Sequence, residues 1–252
     1  MATIPAPVPT PAPESQASLS AFGRLFGVFF SPKTTFEDIV RKPSWVLPVV
    51  ILGLLGLAVA FGINQKMNWR EFMSQRLEKN PSTAQMPEEQ KERQIEAGAK
   101  IAPITTYAFG VPAPIVVVLV VALVMWGAYN LLAGVNPGYK TALGIVSYAY
   151  APAILGNILF LVVLFLKEPG TLDLENPIAT NLAAFLPEDT PKWLEKFCKN
   201  MDIFSIWIVI LIAIGFAAAN PKKLKGGKSF GIAFGVFALY VLIAVGFAFV
   251  FS

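Results

Sequence analysis

Five stretches of this chain, residues 46–64, about 104–133, 141–166, 203–219 and 229–251, contain no Asp, Glu, Lys or Arg. A membrane-crossing helix needs about 20 apolar residues to pass a hydrocarbon layer of about 30 Å, and a soluble domain has no use for five such runs. Charged residues make up only 14% of the 252 positions, against roughly 25% in soluble domains. The expected fold class is therefore all-α: a polytopic integral membrane protein, a bundle of five transmembrane helices with interfacial amphipathic helices. No second, soluble domain is expected. The second stretch is too long for one crossing and contains Pro103, Pro112 and Pro114. It is expected to begin outside the bilayer and to cross from about Val111. The spans then become 46–64, 111–133, 141–166, 203–219 and 229–251, within a membrane domain of residues 19–252. The fourth is short, with Trp207 placed near its outer end.

The flanks of these spans read as short helices. Residues 1–18 are Pro/Ala-rich, with Glu14 as the one charge, and are expected to be a disordered tail. They lack the basic start and apolar core of a signal peptide. In "LSAFGRLFGVFF", Leu19, Phe22, Leu25, Phe26, Phe29 and Phe30 fall on one broad helical face. That describes either a helix in the interface plane or a cover for a neighbouring helix. "SPKTTFEDIV" follows, with Ser31 as N-cap and Pro32 at the first helical position. Its Glu37 and Asp38 are expected to face away from Phe36, Ile39 and Val40. Residues 65–102 read as two polar helices separated at Asn80-Pro81. "TPKWLEKFCKNM" reads as an amphipathic helix whose Trp193, Leu194, Phe197 and Met201 meet the headgroup layer.

Orientation is read from cations near the spans. Nine Lys and Arg fall in the 41 residues of 20–44, 134–140 and 220–228, against eleven in the 74 residues of 65–102 and 167–202. A cytoplasmic N-terminus and a C-terminus on the far side are expected. Lys222, Lys223, Lys225 and Lys228 are candidate contacts to anionic lipid, each worth about 1 kcal/mol against such a leaflet.

The residue types exclude much chemistry. There is no histidine, and Cys198 is the one cysteine. Structural zinc, disulfide frameworks, haem attachment and His-dependent triads all lose their ligands or bases. Cys198 is expected to pack. Charges inside spans mark proton relays and ion paths, and these spans have none. No enzyme activity, cofactor, metal or nucleic-acid partner is expected.

What stays polar is concentrated at "SYAYAP", residues 147–152. Pro152 has no N–H to give the carbonyl of Tyr148, and Pro112 and Pro114 act likewise in the second stretch. Irregular backbone at membrane depth must be satisfied by protein or line a cavity. Tyr148, Pro152, Asn157, Pro112 and Pro114 therefore form a candidate polar joint or a candidate ligand site between the second and third spans. Gly227, Gly231 and Gly235, and the shorter Gly56–Ala60 pair, form small-residue ridges for helix packing. They are expected to pack the bundle internally, with a homo-oligomer as the lesser reading.

Three segments in order resemble one family. They are "FGVFFSPKTTFEDIVRKPSWVLPVVIL", "NPGYKTALGIVSYAYAPAIL" and "MDIFSIWIVILIAIGFAAANPKKLKGGKSF". Together they look like the Yip-one domain family, named for interaction with Ypt/Rab GTPases, over about residues 20–250. The resemblance implies five membrane helices, a cytoplasmic N-terminus and a far-side C-terminus. Eukaryotic members carry longer cytosolic N-terminal regions that bind Rab GTPases. The short tail here departs from that pattern, so a Rab contact is not expected. It looks more like the bacterial members, some of which are thought to accompany exporters. The expected protein is a non-enzymatic scaffold or adaptor in a bacterial inner membrane, with the bilayer and other membrane proteins as partners. Accessory service to a membrane transport or export complex is the expected role; the alternative is a small-solute channel or transporter between the second and third spans.

Overall fold

The computed structural model describes residues 18–78, 83, 85–168, 176–187, 189–225 and 227–250. The expected disordered tail lies almost wholly outside the described residues. Two ten-residue helices come first, α1 (Ala21–Phe30) and α2 (Pro32–Arg41). Ser20 caps α1 by accepting from the Gly23 N–H. Ser31 joins the two helices with Pro32 in the first turn of α2, where a missing N–H leaves no bond unmade.

The long helix α3 (Val46–Lys66) is followed by the polar pair α4 (Trp69–Glu78) and α5 (Glu88–Gly110). α5 carries on through Pro103 to Gly110, and Val111 separates it from α6 (Pro112–Ala133). Gly134, with φ of 60°, ends α6 in the left-handed region open to glycine. The third apolar stretch is two helices, α7 (Tyr139–Ala149) and α8 (Ala151–Leu166), broken at Tyr150. A 3-10 turn at Leu182–Phe185 leads to α9 (Lys192–Asn200), α10 (Ile203–Ala219) and α11 (Lys228–Val250). No strand occurs among the described residues; the one bridge pairs Asn181 with Asp202.

Among the described residues, four helices are long and apolar enough to cross a membrane: α3, α6, the α7–α8 pair taken through its break, and α11. α10 has 17 residues, about 25 Å at 1.5 Å per residue. It nonetheless lies at the centre of the packing, against α2, α7, α8 and α11. Its Val209, Leu211, Ile212, Ala213 and Phe216 are buried in the main hydrophobic core. Asp202 starts it by accepting from the N–H groups of Phe204 and Ser205.

Close approach explains several small residues. A side chain at Gly56 would meet the Gly110 carbonyl and the ring of Pro114, so the Gly56–Ala60 ridge seats the α5–α6 junction on α3. A side chain at Gly215 would meet Ile145 and Phe36, which is how α2 comes to lie against α10. The second ridge differs. Beside Gly231 and Gly235 there is open space, because these residues face outward from α11. Gly227, also open, is needed for its φ of 84°. Contrary to the expected internal packing, none of the described residues lies against this ridge where a side chain would project.

Candidate functional site

The buried polar chemistry gathers where α1, α2 and α7 meet, just before the helix break. Asp38 and Arg24 are 2% and 3% exposed. Arg24 Nε donates to Asp38 Oδ2 at 2.8 Å, and its Nη1 donates to the Lys42 carbonyl at 2.9 Å and to Ser44 Oγ at 2.7 Å. The Leu19 N–H and Arg41 Nη2 complete the shell of the carboxylate. Tyr148 lies on the far side of Ser44. Its hydroxyl is 3.4 Å from Ser44 Oγ and donates to the Ala21 carbonyl. A chain of polar contacts thus runs Asp38–Arg24–Ser44–Tyr148, joining two short helices, the approach to α3 and α7.

Asp38 does not face away from Phe36 and Ile39 as its spacing suggested; all three are buried. α2 is enclosed on more than one side, by α1, α7 and α10, and Arg24 supplies the countercharge that makes burial of a carboxylate affordable in free energy. Glu37 is exposed, as expected. Burial pushes the Asp38 carboxyl up. The hydrogen bonds from Arg41 and Arg24, the Arg24 charge and the Leu19 N–H outweigh it, and the carboxyl sits below its ordinary value. One signal was legible: Arg24 is the lone charge in the apolar run "AFGRLFGVFF". A cation there needs a partner.

The residues read from the sequence are brought together only in part. Tyr148 and Pro152 are both buried at the break. Pro152 stands in the first turn of α8, and the chain turns at Tyr150, whose N–H reaches the Val146 carbonyl. Pro112 and Pro114 likewise stand in the first turn of α6. All three prolines therefore begin helices rather than interrupt them. Pro114 packs on α3 at Gly56, away from the Tyr148 hydroxyl, and Pro112 is exposed. Asn157 turns back on its own helix, donating to the Ala153 carbonyl. A cavity of about 340 Å³ opens beside Gly246 and Phe247, and one of about 330 Å³ lies between α4 and α5 near Glu92 and Ile95. Neither is lined by residues of the break.

A second polar node ties α6, α10 and α11. The Tyr129 hydroxyl donates to the Ser229 carbonyl, and Ser229 Oγ donates to the Ala213 carbonyl. The Tyr129 ring stacks on Phe216 at 4.0 Å. Nearby, Lys223 Nζ donates to the Gly134 carbonyl at 2.6 Å, capping the end of α6, where the dipole favours a cation. Lys222, Lys225 and Lys228 are exposed around it. Cys198 is free and buried. Among the described residues no group of three or more His, Cys, Asp or Glu side chains could hold a metal ion.

The family model described as "Yip1 domain" matches residues 26–247. The chain is similar to "Membrane protein YknW" of Bacillus subtilis (strain 168), 27% identical over 223 residues, which cover 87% of this chain and 89% of that relative. No solved structure matches. The family match takes in α2 to α10 whole, with the second half of α1 and most of α11, and so includes Asp38, Ser44, Tyr148 and the break after it: the chain belongs to the Yip1 domain family of membrane proteins.

Proposed function

We propose that this protein is a non-enzymatic integral membrane scaffold or adaptor, accessory to a transport or export complex in a bacterial inner membrane. The observation that carries the reading is how the polar groups beside the break are used. Arg24 and Asp38 neutralise each other, Tyr148 binds Ala21 and Ser44, and Asn157 binds its own helix. Side chains spent on holding helices together are not available to a solute or to a reaction. The fold offers other membrane proteins a wide lipid-facing surface instead, with α11 exposing most of its length.

The same reading has five crossings, with α10 as the fourth, the N-terminus in the cytoplasm and the C-terminus on the far side. It is supported by the enclosed position of α10 and by the lysines of residues 222–228. Crosslinking in native membranes, followed by purification of the full-length chain, tests the function. The expected result is a reproducible set of membrane-protein partners. Solute flux or steady substrate turnover by the chain alone in proteoliposomes would overturn it.

A further inference from the structure

Two stripes run along the N-terminal helical pair, and they differ in chemistry. On α1, Phe22, Phe26 and Phe30 recur every four residues and are 59%, 62% and 84% exposed. On α2, Lys33, Glu37 and Arg41 recur at the same spacing and are also exposed, followed by exposed Lys42. Residues four apart share a helix face, so α1 presents an aromatic face and α2 a charged one.

Each helix has ten residues, about 15 Å at 1.5 Å per residue and half of what a crossing requires. The pair is also fixed in place. Its inner sides meet the bundle through Phe29 against Trp207 and Phe36 against Gly215. Arg24 and Asp38 lie buried between the two helices, and Arg41 of the charged stripe reaches the Asp38 carboxylate from its own helix.

From this arrangement we infer that α1–α2 is an edge-on insert in one leaflet, with the aromatic face of α1 in the acyl chains and the charged face of α2 among the headgroup phosphates, and with the Arg24–Asp38 pair as the latch that sets this roll. A fixed pair with its aromatic and charged faces on different helices has one roll that places each in its own solvent. The other roll would put Lys33 and Arg41 into hydrocarbon and three phenylalanines into water. The latch matters because rotating either helix would break the contacts of Asp38 with Leu19 and Arg24 together. The partner is the lipid leaflet itself, so the inference stands apart from the scaffold reading.

The test is probe accessibility in the full chain, reconstituted in phosphatidylethanolamine–phosphatidylglycerol vesicles. Nitroxides are placed on single cysteines at Phe22, Phe26, Phe30, Lys33 and Glu37 in a Cys198→Ser background. The first three should collide with oxygen and be shielded from a water-soluble nickel chelate, and the last two should show the reverse. Nickel collisions at all five would put the pair outside the bilayer. Shielding of the phenylalanine positions from both probes would mean that protein covers them. Oxygen-dominated collisions at Lys33 and Glu37 would mean that α2 is submerged. Each of these three outcomes overturns the inference. A second arm tests the latch: Asp38→Asn should erase the contrast between the stripes, and Arg24→Met with Asp38→Leu should restore it. A contrast that survives Asp38→Asn removes the latch from the proposal.

Discussion

At Asp38 the cost of burial and the means of offsetting it can be read atom by atom. The carboxylate receives a guanidinium on each oxygen and a backbone N–H, while its side chain is 3% exposed and that of Arg24 4%. Removing one member of such a pair leaves an uncompensated charge, at a cost of about 3–5 kcal/mol, whereas replacing both with apolar groups is close to neutral. Asp38→Ala should therefore lower the thermal midpoint in detergent sharply. Arg24→Ala should lower it less, because Arg41 and the Leu19 N–H remain, and Arg24→Met with Asp38→Leu should recover most of the loss. Additive losses in the double variant would show that the two side chains act separately. The sign with pH follows from the direction of the shift. A carboxyl held below its ordinary value of 3.8 contributes stability that is complete above that value and is lost as pH falls through the lower, folded one. The midpoint difference between wild type and Asp38→Asn should be flat from pH 5 to 8 and shrink below about pH 4; narrowing at pH 6 would contradict the assignment. None of this was visible in helical periodicity. A period reports which residues share a face, and the countercharge of Asp38 stands fourteen positions away on another helix.

The helix break shows what an element can be asked to do without a ligand. Pro152 stands where α8 begins, so Pro152→Ala restores little hydrogen bonding unless α7 and α8 merge, and merging would pull Tyr148 off Ala21 and Ser44. A net change of about 1–3 kcal/mol in either direction is expected. Tyr148→Phe should cost little more than the ~0.6 kcal/mol of an average interhelical bond in membranes, since both its contacts are long. Asn157→Leu should cost no more, because that amide bonds its own helix. Across this series partner binding should fall only as stability falls. A variant with an unchanged midpoint and no partner binding would make the break a binding site. Two glycine ridges give the matching contrast. Gly56→Leu pushes against the Gly110 carbonyl and should destabilise by roughly 1–3 kcal/mol or more, while Gly231→Leu and Gly235→Leu meet nothing and should leave the monomer's midpoint unchanged. The small-residue pattern was legible in both ridges. Which one had a helix opposite was not, because spacing along one helix carries no information about its neighbour.

For the molecule as a whole the open quantity is the number of crossings, and it turns on α10. A 17-residue helix is short for hydrocarbon about 30 Å thick, yet the shortfall matters only where lipid touches the helix. α10 is wrapped by α2, α7, α8 and α11. At its start, Asp202 accepts from Thr180 Oγ1, and Phe204 lies against Gly156 in α8. At its end, Phe216 stacks on Tyr129, and Lys223 beyond it reaches Gly134. The loops after α6 and α10 therefore share one end of the bundle, and the loop before α10 is tied near the middle of α8. The apolar stretches announced the long apolar helices in the sequence, but only packing distinguishes a short helix shielded by protein from one that merely dips into the bilayer. Single cysteines at Asp189 and Lys225, both exposed, separate the two cases in a Cys198→Ser background. Five crossings require Lys225 to label from the cytoplasm together with Lys33, and Asp189 from the opposite face. Labelling of Asp189 and Lys225 from the same side would reduce the chain to four crossings and return the C-terminus to the side of the N-terminus. It would also remove the positive-inside argument from the lysines of residues 222–228, because they would then share a face with the loop that carries Lys192, Lys196 and Lys199.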